Sequence, residues 1–252
     1  MARLRISIRM LVFDKLNFNW QPVCRSGTCS IFRYVFHRLN IDANNVDIDR
    51  TRFNIMEKHY CSPERFFNKI VKERNRDLQP NFTFAFVRNP WHRAASAYNY
   101  VKNVKHLMHR TFAGNVHRNL MYHLAGGDHM TFESFVDYIV NIERNHAERV
   151  HDLWRCQATV MEIHGRYPVR YDYVGRVEDM KNNFAHVSRM ISNENYIIPH
   201  IHPSSAEARL LFNDNAEGTY NYKEYYTSTK LIDTVGDYYI RDLETFGYRW
   251  YG

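Results

Sequence analysis

Residues 82–98 read FTFAFVRNPWHRAASAY, and no other stretch limits the fold so strongly. Phe82 to Val87 is a short apolar and aromatic run, which predicts a buried strand. Arg88, Asn89 and Pro90 then interrupt it. Asparagine can cap a helix, and proline suits a first helical position because no backbone N–H is needed there. From Trp91 onward the pattern is helical. The stretch therefore predicts strand, tight turn and helix, with Arg88 at the C-terminal end of the strand and Ser96 on the helix. A helix N-terminus beside a fixed guanidinium is an anion site. A core strand followed by a capped helix, with no ligand at all, satisfies the run equally well.

A second turn of the same kind lies upstream. Cys24 to Ser30 reads CRSGTCS and separates a predicted strand, Asn17 to Val23, from a helical run, Ile31 to Leu39. Such a turn presents backbone N–H groups to a phosphate, and the helix dipole adds to the attraction. Gly27 lets the backbone come close, Arg25 adds charge, and Ser26, Thr28 and Ser30 add hydroxyls. The pattern is not a Walker A loop, because GxxxxGK[ST] is absent. Taken singly, it too could be an ordinary strand-to-helix turn. Two anion-type turns in one chain could hold opposite ends of one nucleotide that carries two phosphate groups. The formal charge of +7, with 14 His adding more at lower pH, points to an anionic partner: a nucleotide, an acidic glycan or nucleic acid. The excess is scattered, with no run of five or six like charges, which argues against a nucleic-acid arm.

The remaining pattern alternates strands and helices. Ser62-Pro63-Glu64 starts a helix that reaches about Arg74. Residues 41–58 read as a loop with a short strand. Thr131 opens a helix over TFESFVDYIVNIE, Arg149 to Met161 reads as helix, and Tyr171 to Val174 as a strand ending at Gly175-Arg176. Glu178 to Ile191 and Thr227 to Phe246 read as helices, the last one long and closed by Gly247. The fold class expected is α/β: a single domain over residues 1–252, with a mostly parallel central sheet flanked by helices. The four cysteines, Cys24, Cys29, Cys61 and Cys156, form no CxxC pair and no disulfide framework, so free thiols are expected and a zinc site is not. At the N-terminus, Leu4, Ile6, Ile8 and Met10 alternate with polar residues, as in a strand. Arg3, Arg5, Arg9 and Asp14 interrupt every apolar window, so the segment is no signal peptide. No window approaches a membrane span. The chain reads as soluble, either cytoplasmic in a bacterial or viral setting or a trimmed Golgi luminal domain.

With both turns in hand, the chain resembles the sulfotransferases that use 3′-phosphoadenosine 5′-phosphosulfate (PAPS), and among them the carbohydrate sulfotransferase group, sulfotransferase family 2. In that family a loop after the first strand reads PKxGxT or RSGSS, to which Arg25-Ser26-Gly27-Thr28 with Ser30 is similar. The family motif RNPxxRxxSxY is matched by Arg88, Asn89, Pro90, Arg93, Ser96 and Tyr98. Downstream, TFESFVDYI resembles TFEEFVxYL, and YDYVGRVEDM resembles YDFVGRxE. Trp154-Arg155-Cys156-Gln157 is similar to HWxPQ, with Leu153 in place of the histidine and Cys156 in place of the proline. Tyr225-Tyr226 and DLETFGYRW resemble the family's C-terminus. The likeness spans about residues 17–250.

The resemblance implies a P-loop, nucleotide-kinase-like fold and transfer of a sulfuryl group from PAPS to a hydroxyl, on a carbohydrate above all. It implies that the loop Arg25, Ser26, Gly27, Thr28, Cys29 and Ser30 holds the 5′-phosphosulfate, and that Arg88 and Ser96 hold the 3′-phosphate. Sulfuryl transfer is an in-line displacement in which positioning and charge stabilisation dominate. Arg25 is the expected cation beside the leaving phosphate; arginine stays charged, so its role is electrostatic. A general base must take the acceptor's proton, and related enzymes carry a glutamate or histidine between the two phosphate motifs, where Glu57 and His59 lie here. No metal is required, and His106 with His109 lack a third ligand. The basic stretch of Lys102, Lys105, His106, His109, Arg110, His117 and Arg118 suits an anionic acceptor or a solvated helix face. Two rivals are a P-loop-like kinase, disfavoured by the missing Walker lysine, and a catalytically inactive glycan-binding module, for which two retained anion turns lack a reason. The oligomeric state is not readable.

Overall fold

The computed structural model describes residues 10–42, 45, 48–61, 63–74, 81–103, 130–145, 150–162, 169–194, 196, 198 and 221–250. In chain order the elements are β1 (Met10–Phe13), β2 (Phe18–Gln21), α1 (Thr28–Arg38), α2 (Ile48–His59), β3 (Tyr60–Cys61), α3 (Pro63–Arg74), β4 (Phe82–Val87), α4 (Pro90–Asn103), α5 (Phe132–Asn145), α6 (Gln157–Glu162), β5 (Tyr173–Arg176), α7 (Met180–Ser192), α8 (Thr229–Tyr238) and α9 (Ile240–Phe246). They fall into two compact units. Of the described residues, one unit holds 10–88 and 157–198, and the other holds 89–156 and 221–250.

The first unit holds a five-stranded sheet in the order β3-β1-β2-β4-β5. β2 pairs with β4 and β4 with β5 in parallel, while β1 pairs with both β2 and β3 antiparallel. The sheet is therefore mixed, not mostly parallel as the alternation of strands and helices suggested. The cause is local. β1 and β2 are joined by a short 3-10 turn, Asp14–Leu16, closed by Asn17 at φ 59°. A connection that short can only reverse the chain, because parallel neighbours need a crossover of a dozen residues or more. The expected N-terminal strand, Met10 excepted, lies outside the described residues, as do residues 105–118 with His106 and His109.

Aromatic side chains fill this core. Phe18, Tyr34, Phe84, Phe86 and Phe184 are all fully buried. The rings of Phe18 and Phe84 lie 5.8 Å apart across the parallel pair, and Phe184 from α7 packs edge-on to Tyr34 at 4.9 Å. Gly175 makes room for them: a Cβ there would lie 2.5 Å from Phe86 Cε1. The segment 48–59, expected as loop and strand, is helix α2. Among its central residues only Ile55 is buried, so its apolar period is too weak to read.

In the second unit, α4 starts as its sequence requires. Asn89 Oδ1 accepts the backbone N–H groups of Trp91 (3.1 Å) and His92 (3.3 Å), and Pro90 occupies the first helical position. Tyr98 donates its hydroxyl to Met130 O, and Tyr226 donates to Trp91 O. Two expected helices differ. Residues 150–156 are turns, and only Gln157–Glu162 is helical. The long C-terminal helix is two helices, α8 and α9, which part at Tyr239. Its ring is fully buried and its hydroxyl donates to Trp154 O at 2.7 Å. Nothing in the local pattern marks that break. Among the described residues no helix is long and apolar enough to cross a membrane.

Candidate functional site

β2 and β4 run parallel and side by side, with Gln21 level with Ala85. Their C-terminal ends therefore open at the same edge of the sheet, which is where open α/β sheets place ligands. The chain leaves β2 into residues 22–27 and leaves β4 at Arg88, so the first sequence-predicted turn and Arg88 share this edge.

The first turn has an unusual backbone. Arg25 has φ +64° and Gly27 φ +74°, whereas Ser26 between them does not have positive φ. This alternation of hand turns successive N–H groups toward one side, the concavity that holds anions. Gly27 is required twice over: by its φ and because an added Cβ would lie 2.6 Å from Met180 Cε. The turn is held from inside. Ser26 N–H donates to Val23 O (3.1 Å), and Thr28 Oγ1 donates to the same carbonyl (3.0 Å). α1 begins at Thr28, and Ile31 N–H donates back to Gly27 O. Ser30 is buried within its first turn, and Cys24 and Cys29 are half-buried.

Arg88 is 7% exposed, and its Nη1 donates to Arg25 O at 3.3 Å. The second guanidinium of the pair thus lies against the backbone of the first turn. Gln157 completes the assembly. Its Oε1 accepts Ser26 Oγ–H at 2.8 Å and Arg88 N–H at 2.9 Å, and its Nε2 donates to Arg88 O at 2.8 Å. Sequence reading placed Gln157 in a family-like element but assigned it no role. Its only local signal is a glutamine directly after a tryptophan-containing turn, which says nothing about partners more than sixty residues away.

Ser96 belongs to the other unit, where it is buried on α4. Arg93, four residues after Asn89, is fully buried there, and it donates to Arg155 O (2.8 Å) and Asp152 O (3.0 Å). The second arginine of the RNPxxR pattern is thus engaged with backbone carbonyls. In the same segment His151 Nδ1 accepts Leu153 N–H at 3.0 Å, and burial lowers its pKa from 6.5 to about 4.

The two candidate bases both lie in α2. His59 ends α2 and donates its Nδ1–H to Val12 O at 3.0 Å, with its ring stacked on Phe13. Val12 is level with Asn19, near the start of β2, whereas the turn leaves the other end of that strand. Glu57 is exposed on α2. The Val12 bond thus holds His59 near the start of β2, away from the end that leads into the turn. No cluster of three His, Cys, Asp or Glu side chains suited to a metal occurs among the described residues.

Comparison with known proteins concerns the sequence of the chain. Carbohydrate sulfotransferase 11 of Rattus norvegicus is 25% identical over 149 residues, which cover 56% of this chain and 42% of that protein. Carbohydrate sulfotransferase 11 of Mus musculus gives the same identity and coverage. The chain thus spans less than half the length of the curated relatives it matches. No solved structure matches it. The Sulfotransferase family profile matches residues 9–249, almost the whole chain, and the chain belongs to the sulfotransferase family.

Proposed function

We propose that this protein transfers a sulfuryl group from PAPS to a hydroxyl of a carbohydrate, within one nucleotide-kinase-like domain of about residues 17–250. The observation that carries the reading is the reach of the Arg88 guanidinium to the Arg25 carbonyl at 3.3 Å. It joins a cation, a turn of alternating φ and a helix N-terminus at one sheet edge, which is the chemistry a phosphate requires. A carbohydrate acceptor is supported by the names of the relatives, and the basic charge of the chain suits an anionic one.

The donor supplies a sulfuryl group on a phosphate leaving group. The residues of this chain bind, orient and neutralise. Backbone N–H groups of Gly27 and Thr28 would hold the 5′-phosphate with the α1 dipole behind them. Thr28 and Ser26 already spend their hydroxyl protons on Val23 O and Gln157 Oε1, so the backbone and the guanidinium groups carry the attraction. Arg25 would stabilise the charge that develops on the leaving oxygen, and being always protonated it donates no proton. Arg88 is assigned to the 3′-phosphate, as is Ser96 by the family motif. Guanidinium groups and backbone dipoles can neutralise the donor, so the reading needs no metal.

Titration calorimetry with adenosine 3′,5′-bisphosphate in the absence of Mg²⁺ tests the reading. Binding is expected, and Arg88→Ala should weaken it by about 2–4 kcal/mol if the charge pair is buried. Tight binding of ATP·Mg²⁺ with no response to the bisphosphate would favour a kinase. Bisphosphate binding without sulfate transfer to any member of a glycan panel would favour an inactive binding module.

A further inference from the structure

We propose that Gln157 is a positioning residue: its carboxamide holds the first anion turn and Arg88 in register, so that the two ends of the site are set by one side chain. The inference rests on the donor reading above for its consequence, but not for its geometry.

The argument starts from the sheet. The β2–β4 ladder ends at Gln21 and Ala85, and the β4–β5 ladder ends at Val87 and Arg176. Arg88 lies one residue past the last pairing, where its peptide would leave β4 unsupported. Gln157 accepts the N–H of Arg88 and donates to its C=O. This is the pair of bonds that a residue on a neighbouring strand would make, so the side chain extends the sheet by one residue. The same Oε1 accepts the hydroxyl of Ser26, inside the turn. The backbone partners fix the orientation of the amide, since Arg88 N–H needs an acceptor and Arg88 C=O needs a donor.

Only glutamine meets all three demands. Glutamate loses the donor, asparagine is one methylene too short, and an apolar residue would strand three polar groups in a fully buried place. The side chain also sets a direction. With its proton committed to Gln157, Ser26 Oγ presents lone pairs, not a proton, to anything in the turn. Displacing Gln157 would therefore free both the Ser26 rotor and the Arg88 peptide, and with it the base of the guanidinium that reaches Arg25 O.

Amide hydrogen exchange by NMR tests the geometry, and adenosine 3′,5′-bisphosphate is the probe of its consequence. In Gln157→Ala, the Arg88 amide should exchange at least tenfold faster while those of Phe84, Ala85 and Phe86 keep their protection. Bisphosphate affinity should fall tenfold or more. Ser26→Ala should weaken binding in the same direction, and Ser26→Ala/Gln157→Ala should be no worse than the weaker single variant, because both remove one linkage. Gln157→Glu, nearly the same shape, keeps the proposal testable should the alanine variant not fold. Its affinity should recover as pH falls and the carboxyl regains a donor, a profile that the wild type lacks. An unchanged Arg88 amide, or losses that multiply in the double variant, overturns the inference. If wild-type protein ignores the bisphosphate, the donor reading fails instead, and the exchange of Arg88 in the two Gln157 variants still decides the positioning role.

Discussion

Gly27→Ala is the sharpest single perturbation, because its two costs can be worked out separately. Gly27 has φ +74°, a conformation that costs an L-residue about 1–2 kcal/mol. The new Cβ would also lie 2.6 Å from Met180 Cε. Carbon pairs prefer about 3.5–4.0 Å, so the methyl group must retreat by about 1 Å. Met180 is buried at 4% exposure, but it is unbranched and can rotate. We therefore take about 1–2 kcal/mol, the lower part of the overpacking range. The sum is about 2–4 kcal/mol, and for a chain of this size each kcal/mol lowers Tm by about 2–4 °C. Urea unfolding of Gly27→Ala, Met180→Ala and the double variant separates the terms. The cycle should return about 1–2 kcal/mol of coupling for the clash and leave the rest for the backbone. A Gly27→Ala protein that unfolds with the wild type would refute both the left-handed turn and the Met180 contact.

Three further outcomes are expected. Arg93→Ala should destabilise the protein by about 2–6 kcal/mol, because the Arg155 and Asp152 carbonyls lose a charged donor; an unchanged urea midpoint would refute the clamp. His151 has its pKa lowered from 6.5 to about 4, so the folded state resists a proton that the unfolded chain accepts. Its contribution is complete above pH 6.5 and is lost as pH falls toward 4, up to about 3 kcal/mol; His151→Gln should show a shallower acid slope, and equal slopes would contradict this. His59→Ala and Glu57→Ala should each lower turnover less than about tenfold, since His59 is bonded at the level where β2 begins; general acid–base catalysis is worth about 10²–10⁴, so a hundredfold loss with either variant would locate the base there.

What the sequence made legible was local. Asn89 caps α4 and Pro90 opens it, as the residues demand. Pro63–Arg74 is the helix that Ser62-Pro63-Glu64 announces. The strand Phe82–Val87 and the turn of Arg25–Gly27 are where their composition put them. Each depends on neighbours within four residues, through capping, fixed φ or apolar period. The failures have separate causes. The mixed sheet follows from the tight turn at Asp14–Asn17, the α8–α9 break coincides with a buried Tyr239 bonded to Trp154, and α2 shows almost no period.

The candidate site divides in the same way. The opening stretch, FTFAFVRNPWHRAASAY, determined by itself that an arginine would stand between a strand and a capped helix. That this arginine reaches the carbonyl of Arg25, and that Gln157 ties its peptide to Ser26, was decided only by the tertiary structure. The physical reason is range. A cap or a backbone dihedral is a property of a few consecutive residues, whereas a buried carboxamide acquires its meaning from partners that only the folded sheet brings within 3 Å.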